Sequence, residues 1–324
     1  MPVELTDAAL AAAVGDGLAQ VEQALADAAQ AQETLLTEAS RHLIDAGGKR
    51  FRATVVLLAS QFGNPADERI VPAATAIELT HLATLYHDDV MDEAAVRRGH
   101  ESANSRWTNT VAILTGDFLF ARASQILAEL GDEAIRIQAE TFARLVSGQI
   151  AETLGPRPGE DPLAHYLRVV EEKTASLIAT AGRFGAMFSD APAGVAERMT
   201  AACHALGVAF QLSDDILDVT SDSEQSGKTP GTDLREGVRS LPVLHVLRSG
   251  GGGRLRDLLS ADLTDETLHA EALALLRAHP AMEAARADMR RWASVARDEV
   301  AGLPDVAARG AFEAMCEFVA SRTG

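Results

Sequence analysis

The sequence is poor in the residues that build sheets and disulfide frameworks. Aromatic side chains make up 4% of the 324 residues, and there are two cysteines, Cys203 and Cys316. A chain rich in alanine and poor in aromatic residues favours closely packed helices over a β-sandwich. The spacing of the cysteines suggests neither a disulfide framework nor a metal site. We therefore interpret both as small buried apolar residues.

Positive charge is also scarce. Lysine and arginine number 29 against 47 aspartates and glutamates, which gives a formal net charge of -18. This balance argues against nucleic acid as a partner, because phosphate-backbone binding needs a broad basic surface. The basic residues nevertheless cluster at Lys49, Arg50 and Arg52, and again at Arg97 and Arg98. Either cluster alone could be a solvated helix end, but together they offer local cations to an anionic substrate.

Long hydrophobic runs are lacking as well. A typical run, residues 53–59, is broken by Thr54 and falls far short of the length that crosses a membrane. No charged and then apolar leader is visible at the start of the sequence. We therefore expect no transmembrane segment and a cytoplasmic protein, which an apolar product could bring to the membrane surface for release.

Segments rich in alanine, leucine and glutamate follow one another at helical spacing, and no sustained period-two stretch interrupts them. The breaks between them, such as Gly155-Pro-Arg-Pro-Gly159, are too short to be domain linkers. The pattern predicts a single all-α domain over residues 1–324. One helix is predicted to begin at Asp161-Pro162 and to carry Tyr166 and Lys173-Thr174.

An aspartate triplet of the form D-D-x-x-D occurs twice. On a helix, the first and last aspartates of each triplet lie four residues apart and share a face. Two such carboxylates about 4 Å apart repel by ~1–4 kcal/mol, so facing triplets would need cations between them. Hard divalent ions that bind oxygen, above all Mg²⁺, fit that need. The triplets are Asp88, Asp89 and Asp92, and Asp214, Asp215 and Asp218.

A lone triplet could be a solvated surface feature, but apolar flanks such as Leu85-Tyr86 and Ile216-Leu217 indicate that these carboxylates point into a cleft. Cations follow each triplet, at Arg97-Arg98-Gly99 and at Gly227-Lys228. Guanidinium and ammonium groups match phosphate oxygens. Carboxylates, a divalent metal and these cations together indicate a diphosphate site.

The stretch Gly47-Gly-Lys-Arg-Phe-Arg52 superficially resembles a phosphate-binding loop, but it lacks the first glycine of a P-loop and no strand precedes it. Two glycines at a helix end are the simpler interpretation. Lys49 and Arg52 would then stand three residues apart at the start of the next helix, where both can reach one anion. His81 lies two helical turns before Asp88 and shares its face, although a structural histidine is the alternative. We interpret His87 as structural.

These motifs, taken in chain order, resemble the trans-prenyl diphosphate synthase family over about residues 40–245. The resemblance adds Gly116-Asp-Phe118, Lys173-Thr174, residues 210–218 and Asp233-Leu234 to the motifs above. It implies an all-α isoprenoid synthase fold of many antiparallel helices around a deep central cavity, usually as a homodimer. It also implies Mg²⁺-dependent head-to-tail condensation of isopentenyl diphosphate with an allylic diphosphate, namely dimethylallyl, geranyl, farnesyl or geranylgeranyl diphosphate.

The resemblance also assigns roles to residues. Asp88, Asp92 and Asp214 would hold three Mg²⁺ on the allylic diphosphate, with Asp89, Asp215 and Asp218 as further ligands or outer partners. The remaining roles are divided between the two substrates. Arg97, Lys173 and Lys228 would complete the grip on the allylic diphosphate, Thr174 and Gln211 would lie near the reacting carbon, and Lys49, Arg52, His81 and Arg98 would bind the diphosphate of isopentenyl diphosphate.

One position departs from the family. Members often have a lysine where this chain has Val238, so a cationic contact to the allylic diphosphate is missing. We do not transfer that role to Arg239, because on a helix it would point about 100° away.

Product length in the family depends on the two positions that floor the pocket, here Ala83 and Thr84. Neither carries the aromatic ring that is frequent in short-chain members. Each further isoprene unit buries several CH₂ groups at ~0.8 kcal/mol apiece, so elongation should continue until the chain meets a bulky wall. The stretches at residues 83–89 and 107–118 most resemble the long-chain members of the family, and this resemblance implies roughly seven to ten units, about C35–C50. Such a product would be a precursor of quinone side chains.

Three alternatives stay open. The nearest is a geranylgeranyl (C20) diphosphate synthase. A class I terpene cyclase shares the fold, but its second metal motif is usually of an Asn/Ser/Glu type rather than Asp214-Asp215-x-x-Asp218. A non-catalytic subunit of a heteromeric synthase would be expected to lack one aspartate triplet or the Arg97-Arg98 pair, and this chain has both.

Overall fold

The computed structural model describes residues 5–220, 230–250 and 253–322. Nearly all of them lie in helices, which confirms the all-α prediction. The helices are α1 (Ala8–Ala28), α2 (Thr34–Asp45), α3 (Phe51–Ala59), α4 (Ile70–Met91), α5 (Ala103–Arg106), α6 (Asn109–Leu130), α7 (Asp132–Leu154), α8 (Pro162–Val170), α9 (Ser176–Phe188), α10 (Val195–Thr220), α11 (Thr232–Arg235), α12 (Leu241–Arg248), α13 (Arg254–Leu258), α14 (Glu266–Arg277), α15 (Ala281–Ala301) and α16 (Ala307–Ser321).

Three short elements complete the described chain. A 3₁₀ turn, Ser60–Phe62, follows α3, and a π-helical turn, Glu171–Ala175, joins α8 to α9. A two-stranded antiparallel hairpin follows α4, with β1 (Val96–Arg97) paired to β2 (His100–Glu101). The sequence did not predict the hairpin, whose two-residue turn is Arg98-Gly99 with φ of 53° and 78°. A glycine in a two-residue turn with positive φ is a typical hairpin signal.

Polar side chains cap the N-termini of several helices. The carboxylate of Asp7 accepts the Leu10 N–H at 2.8 Å before α1. Asp161 accepts the Leu163 N–H at 3.2 Å, with Pro162 in the first turn of α8, as predicted. Each such bond satisfies a backbone N–H that the helix itself leaves without a partner.

The described residues form two compact units. The first is drawn from Met1–Phe142, Leu177–Thr200 and Gly302–Phe312. Its centre is α4, which packs against α1, α3 and α6 and is buried around most of its circumference. Helices α3 and α9 approach each other closely because a small residue lies at their contact. A Cβ on Gly185 of α9 would stand 2.3 Å from the Val56 carbonyl oxygen of α3. This is the close helix packing that the alanine-rich composition predicts.

The second unit is drawn from Ala143–Ser176, Ala201–Ala301 and Glu313–Gly324. Within it, α12 packs against α8 and α15, and α14 packs against α11, α13 and α15. Cys203 and Cys316 are both buried here, and burial raises the pKa of each thiol. This confirms their interpretation as small apolar residues of the interior. That residues 1–324 act as a single domain stays a prediction.

Candidate functional site

The first aspartate triplet lies at the C-terminal end of α4. Asp92 caps the helix, and its N–H donates to the Asp88 carbonyl oxygen at 2.8 Å, so the two residues keep the predicted one-turn spacing. Asp89 differs from both. Its side chain is completely buried and accepts a 2.6 Å hydrogen bond from Nε of Arg97 on β1. The triplet thus consists of two residues at the helix end and one interior carboxylate with a protein partner.

The hairpin ties the first triplet to the turn between α2 and α3. Nη1 of Arg98 donates to the carbonyl oxygens of Leu43, at 2.8 Å, and Gly47. A Cβ on Gly48 would stand 3.1 Å from the guanidinium carbon of Arg98, so the second glycine leaves room for this side chain. The structure therefore brings Arg98 to the two-glycine turn, 50 residues earlier in the chain.

The turn itself shows two differences from the sequence interpretation. The two glycines do follow a helix end, since α2 ends at Asp45. However, α3 begins at Phe51, so Lys49 precedes the helix and is not on its first turn. The reason is Arg50, which has a left-handed φ of 43° and is buried, with Nε 2.6 Å from the Glu22 carboxylate. Arg50 is thus an anchor for the turn, whereas Lys49 is exposed.

Arg52 lies in the first turn of α3 and is partly buried. Its Nε atom has no hydrogen-bond partner among the described residues. Burial and the nearby Arg98 lower the pKa of Arg52, while the carboxylate of Glu78 opposes this shift. A guanidinium with a buried, unused Nε donor is suited to an incoming anion, because an anion would supply the missing hydrogen bond and a counter-charge.

His81 lies in the same electrostatic environment. Burial lowers the pKa of its imidazole well below the ordinary value of 6.5, and the positive charges of Arg52 and Arg98 lower it further. His81 is therefore neutral at neutral pH. It can donate or accept a hydrogen bond, but it does not add a positive charge to the basic cluster. Its neighbour His87 instead turns to α6, where Nε2 lies 3.2 Å from the Ile113 carbonyl oxygen.

Sequence reasoning missed Glu78, which lies one turn before His81 on α4. Its side chain is 2% exposed, and Oε1 accepts the Ala53 N–H at 2.9 Å. A carboxylate at the N-terminus of α3 is favourable because the helix leaves N–H groups unpaired there. A glutamate on an apolar helix far from α3 in sequence gives no local sign of this contact.

The second triplet lies near the end of α10. Oδ1 of Asp214 forms an ion pair with Nη2 of Arg322, the last described residue, at 2.8 Å. Asp218 accepts the N–H groups of Thr232 and Asp233, each at 3.2 Å. These contacts place two of the three carboxylates against cationic or N–H donors that come from later parts of the chain.

Asp215 is the buried member of the second triplet, with three hydrogen-bond donors around it. The Tyr166 hydroxyl donates to Oδ2 at 2.5 Å, the Leu241 N–H to the same oxygen at 3.0 Å, and Nε2 of Gln211 to Oδ1 at 3.2 Å. Burial raises the pKa of Asp215 to about 6, although these three hydrogen bonds act in the opposite direction.

Lys173 and Thr174 lie in the π-helical turn and not in a regular helix as predicted. The backbone there passes close to α7, where a Cβ on Gly148 would stand 2.8 Å from the Lys173 nitrogen. Lys173 pairs through Nζ with the Glu152 carboxylate, which sequence reasoning also missed. The Thr174 hydroxyl donates to Oε1 of Gln211 at 3.3 Å. Single π turns inside helices are frequent at functional sites.

The remaining predicted positions divide into two groups. Lys228, with Gly227, lies outside the described residues. Val238 and Arg239 lie in a loop between α11 and α12, so the helical geometry used above to set Arg239 aside is wrong. The turn forms because Gly237 has a φ of 74° and the Val238 N–H bonds to the Asp233 carbonyl oxygen at 2.8 Å. Val238 is 48% exposed and offers no polar group.

The two predicted chain-length positions differ in burial. Ala83 is 1% exposed, whereas Thr84 is partly exposed, and its hydroxyl donates to the His81 carbonyl oxygen at 2.8 Å. Neither position carries a ring.

Helix α6 has an exposed apolar face. Ile113 is 42% exposed and Leu114 is 58% exposed. By length and composition this helix could cross a membrane, and 33% of its most apolar stretch is buried. A single helix of this kind is weak evidence, because core helices of soluble proteins satisfy the same criterion.

The donor chemistry of the aspartates fits an oxygen-binding cation. All six side chains supply carboxylate oxygens, and Oδ2 of Asp89 is buried without a hydrogen-bond partner in the part of the chain that is described. Within those same residues, no three acidic or histidine side chains already converge on one point. The residues therefore suit a hard divalent ion such as Mg²⁺ by type, and binding would require side-chain adjustment.

Comparison with known proteins agrees with the motifs. The family described as polyprenyl synthetase matches residues 33–276. The nonaprenyl diphosphate synthase of Mycobacterium tuberculosis is 50% identical, with 99% of this chain and 97% of that protein covered. Component 2 of the heptaprenyl diphosphate synthase of Geobacillus stearothermophilus is 38% identical, with 95% and 97% covered.

Solved structures show the same similarity. The crystal structure of geranylgeranyl pyrophosphate synthase from Corynebacterium glutamicum, complexed with calcium and isoprenyl diphosphate, superimposes with a TM-score of 0.90. The two chains are 43% identical, and the alignment covers 99% of this chain and 100% of that one.

Proposed function

This chain belongs to the polyprenyl synthetase family, and from that premise we propose that it condenses isopentenyl diphosphate head-to-tail with an allylic diphosphate in a Mg²⁺-dependent reaction, to give a long-chain all-trans product. The observation that carries the proposal is the 50% identity to a nonaprenyl diphosphate synthase over almost the whole of both chains. Both aspartate triplets, with basic residues beside them, lie within the matched region.

The aspartates serve the allylic diphosphate. By family resemblance, Asp88, Asp92 and Asp214 would hold three metal ions, whereas the buried Asp89 and Asp215 accept hydrogen bonds from Arg97 and Tyr166. When bound there, Mg²⁺ would supply positive charge to offset the negative charge that builds on the leaving diphosphate. Arg97, Lys173 and Lys228 add positive charge to the same group by the family pattern.

Lys173 has to exchange partners to do so, since its ammonium is paired with Glu152. An ammonium on a flexible stem can make this exchange, and a diphosphate carries more negative charge than one carboxylate. The pair therefore holds the ammonium at Glu152 until substrate binds.

The second diphosphate, that of isopentenyl diphosphate, meets Lys49, Arg52, His81 and Arg98. The unused Nε donor of Arg52 and the neutral imidazole of His81 support this role. Arg98 is held by two backbone carbonyl oxygens and so needs little reordering on binding.

The reacting carbon becomes cationic when diphosphate leaves. The hydroxyl of Thr174 and the amide oxygen of Gln211 can stabilise it without forming a bond to it. The double bond of isopentenyl diphosphate then attacks this carbon. The proton that is lost goes to the released diphosphate, because no side chain in the motifs stands out as its base.

Product length follows from the small side chains at Ala83 and Thr84, which leave room for a growing chain. We propose a product of roughly seven to ten isoprene units, which the 50% identity to a nonaprenyl diphosphate synthase supports. Burial of each further CH₂ contributes ~0.8 kcal/mol and favours elongation until the chain meets a wall. The similarity to a geranylgeranyl synthase structure keeps the four-unit product as the second candidate.

The exposed apolar face of α6 supports a homodimer. Side chains such as Ile113 and Leu114 are large and apolar, and a second copy would remove them from water. We place the enzyme in the cytoplasm with peripheral contact at the membrane when product leaves. Sedimentation of the purified protein tests the dimer, and a monomer at micromolar concentration would contradict it.

The decisive experiment supplies labelled isopentenyl diphosphate with each allylic primer in turn and separates the products by chain length. We expect products of about C35–C50 from at least one primer. Accumulation of a C20 product alone would select the second candidate. A cyclic hydrocarbon would indicate a terpene cyclase, and no product unless another chain is added would indicate a subunit of a heteromeric synthase.

A further inference from the structure

Asp215 belongs to a metal-type motif by sequence, but both of its oxygens accept hydrogen bonds from neutral protein groups. Oδ2 accepts from the Tyr166 hydroxyl at 2.5 Å and from the Leu241 N–H at 3.0 Å, and Oδ1 accepts from Nε2 of Gln211 at 3.2 Å. The side chain is also buried, whereas that of Asp214 is 42% exposed. Neighbouring aspartates of one motif thus have different surroundings.

The hydrogen bond between Gln211 and Asp215 fixes the orientation of the Gln211 carboxamide. An ionised carboxylate only accepts hydrogen bonds, so the Gln211 carboxamide must turn its NH₂ group toward Asp215. Its oxygen then faces the other way, where it accepts the Thr174 hydroxyl at 3.3 Å. The orientation of one amide is therefore determined by the acceptor character of one Asp215 oxygen.

Tyr166 and the start of α12 hold that carboxylate in place. Tyr166 comes from α8, and Leu241 is the first residue of α12. Two donors from different helices on the same oxygen leave the carboxylate little freedom to rotate, so Oδ1 stays directed at Gln211.

We infer that Tyr166 and Asp215 are positioning residues, which lock the Gln211 carboxamide with its oxygen toward Thr174, and that Asp215 is not a metal ligand. The inference rests on the proposed function for its catalytic meaning. A carbon that becomes cationic beside Thr174 is stabilised by the negative end of the amide dipole. The same carbon is destabilised by the NH₂ end, so the orientation of this amide acts directly on ionisation.

The hydrogen-bond pattern predicts what Asp215→Asn does. The new amide keeps its oxygen toward Tyr166 and Leu241, both of which are donors. Its NH₂ group then faces the NH₂ group of Gln211, and two donors cannot pair. Gln211 must flip, which directs its own NH₂ group at Thr174. Replacement of one Asp215 oxygen by an NH₂ group of nearly the same size thus reverses the orientation of the Gln211 amide beside the reacting carbon.

A second substitution restores the pattern. In the double variant Asp215→Asn with Gln211→Glu, the new amide NH₂ donates to the new carboxylate, whose other oxygen again accepts from Thr174. The net charge of the pair is unchanged. Gln211→Glu alone instead sets two carboxylates against each other, which is unfavourable in a buried site.

The test compares wild type, both single variants, the double variant and Tyr166→Phe. Urea midpoints are measured in EDTA, without metal or substrate. Each single variant should have a lower midpoint than wild type, and the double variant should recover most of the loss. Tyr86→Phe is the matched control, because it removes the other buried tyrosine hydroxyl, which donates to the Ala39 carbonyl oxygen.

Kinetics then separate positioning from metal binding. We expect kcat to fall about tenfold or more in Asp215→Asn and about three- to tenfold in Tyr166→Phe, since loss of one preorganised electrostatic contact has effects of this order or larger. The Mg²⁺ concentration at half-maximal rate should stay within about twofold of wild type. Tyr86→Phe should lower the midpoint but not kcat.

Two results would overturn the inference. The first is a rise of about tenfold or more in the Mg²⁺ requirement of Asp215→Asn with kcat preserved, which would make Asp215 a metal ligand. The second is strict additivity of the two single changes in the metal-free midpoints, which would show that Asp215 and Gln211 do not pair. Failure of the proposed function would be seen separately, as a wild-type protein that makes no prenyl product.

Discussion

Arg97 and Asp89 form a 2.6 Å ion pair in which the carboxylate is completely buried and the guanidinium is 29% exposed. This pair joins the hairpin to the end of α4, and it assigns a structural role to the middle aspartate of the first triplet. Asp88 is partly exposed and Asp92 is exposed, so substitutions within this triplet should have different effects.

Asp89→Ala should therefore lower stability, by about 1–3 kcal/mol after allowance for the partly exposed arginine, because it leaves the Arg97 charge without its partner. Asp88→Ala should fold normally and lower the condensation rate at least 10²-fold, through loss of metal-based charge stabilisation. Urea unfolding and steady-state rates at saturating Mg²⁺ measure the two effects. Near-wild-type turnover of Asp88→Ala, or of Asp214→Ala, would refute the metal assignment.

Substitutions in the two groups of basic residues should affect the binding of different substrates. Lys49→Ala and Arg52→Ala should raise KM for isopentenyl diphosphate about tenfold or more, while Lys173→Ala and Lys228→Ala should act on the KM or ionisation of the allylic diphosphate. Arg41→Ala is the control, because this arginine pairs with Asp45 on the exposed side of α2. Equal increases in one substrate's KM in all four variants would contradict two distinct diphosphate sites.

His81 should give the protein a pH-dependent stability. Its folded pKa lies well below the ordinary 6.5, so below pH 6.5 the unfolded chain binds more protons than the folded one. The stability that depends on neutral His81 is thus fully present above pH 6.5 and is lost as the pH falls below it. In urea unfolding at pH 8 and pH 5, His81→Asn should lose less stability than wild type on acidification.

The exposed His100 is the control for that experiment. His100→Asn should follow the wild-type pH dependence. If His81→Asn follows it too, the buried imidazole does not titrate as the structure indicates.

Product length should respond to a ring at Thr84. This position is partly exposed, so Thr84→Phe can be accommodated, whereas Ala83→Phe forces a ring into a fully buried position at a cost of about 1–3 kcal/mol in stability. Both should shorten the product to three or four isoprene units and leave the first condensation largely intact. Thr84→Ala, which removes the hydroxyl without adding bulk, should keep the long product. If the product-length distribution stayed unchanged in both phenylalanine variants, the growing chain would not run past these two positions.

Arg322 should compete with metal at Asp214. The two side chains are 2.8 Å apart, and the guanidinium also lies 5.0 Å from the centre of the Phe210 ring. Arg322→Ala should lower the Mg²⁺ concentration at half-maximal rate about two- to fivefold, because a competing cation is removed. Arg322→Lys keeps the charge and is the control. A higher Mg²⁺ requirement in Arg322→Ala would show that the arginine supports the metal site.

The sequence predicted the features that depend on local pattern. Helical periodicity led to the all-α fold, the Asp161-Pro162 signal to the start of α8, and the aspartate spacing to the position of Asp92 one turn after Asp88. What it did not predict depends on residues far apart in the chain. Tyr166 meets Asp215 across 49 positions, and Glu78 meets Ala53 across 25, so neither partner leaves a mark near the other.

Local geometry was also missed where it departs from a regular helix. Lys49 was placed on a helix that in fact begins two residues later, after Arg50, which is left-handed and pairs its buried guanidinium with the exposed Glu22. Arg239 was treated as helical, whereas a turn at Gly237 ends α11 before it. Both errors come from tertiary contacts or turns that override the periodicity of the chain.

The π-helical turn at Glu171–Ala175 makes the length of this segment as important as its composition. A π turn contains one residue more than the α-helical turn it replaces, so Lys173 and Thr174 lie where the helix has absorbed an insertion. Side-chain substitutions leave that insertion in place. Deletion of a single residue would restore a regular helix and turn the side chains that precede it by about 100° about the helix axis. Sequence drift at this site should therefore exchange residues while the number of residues stays fixed.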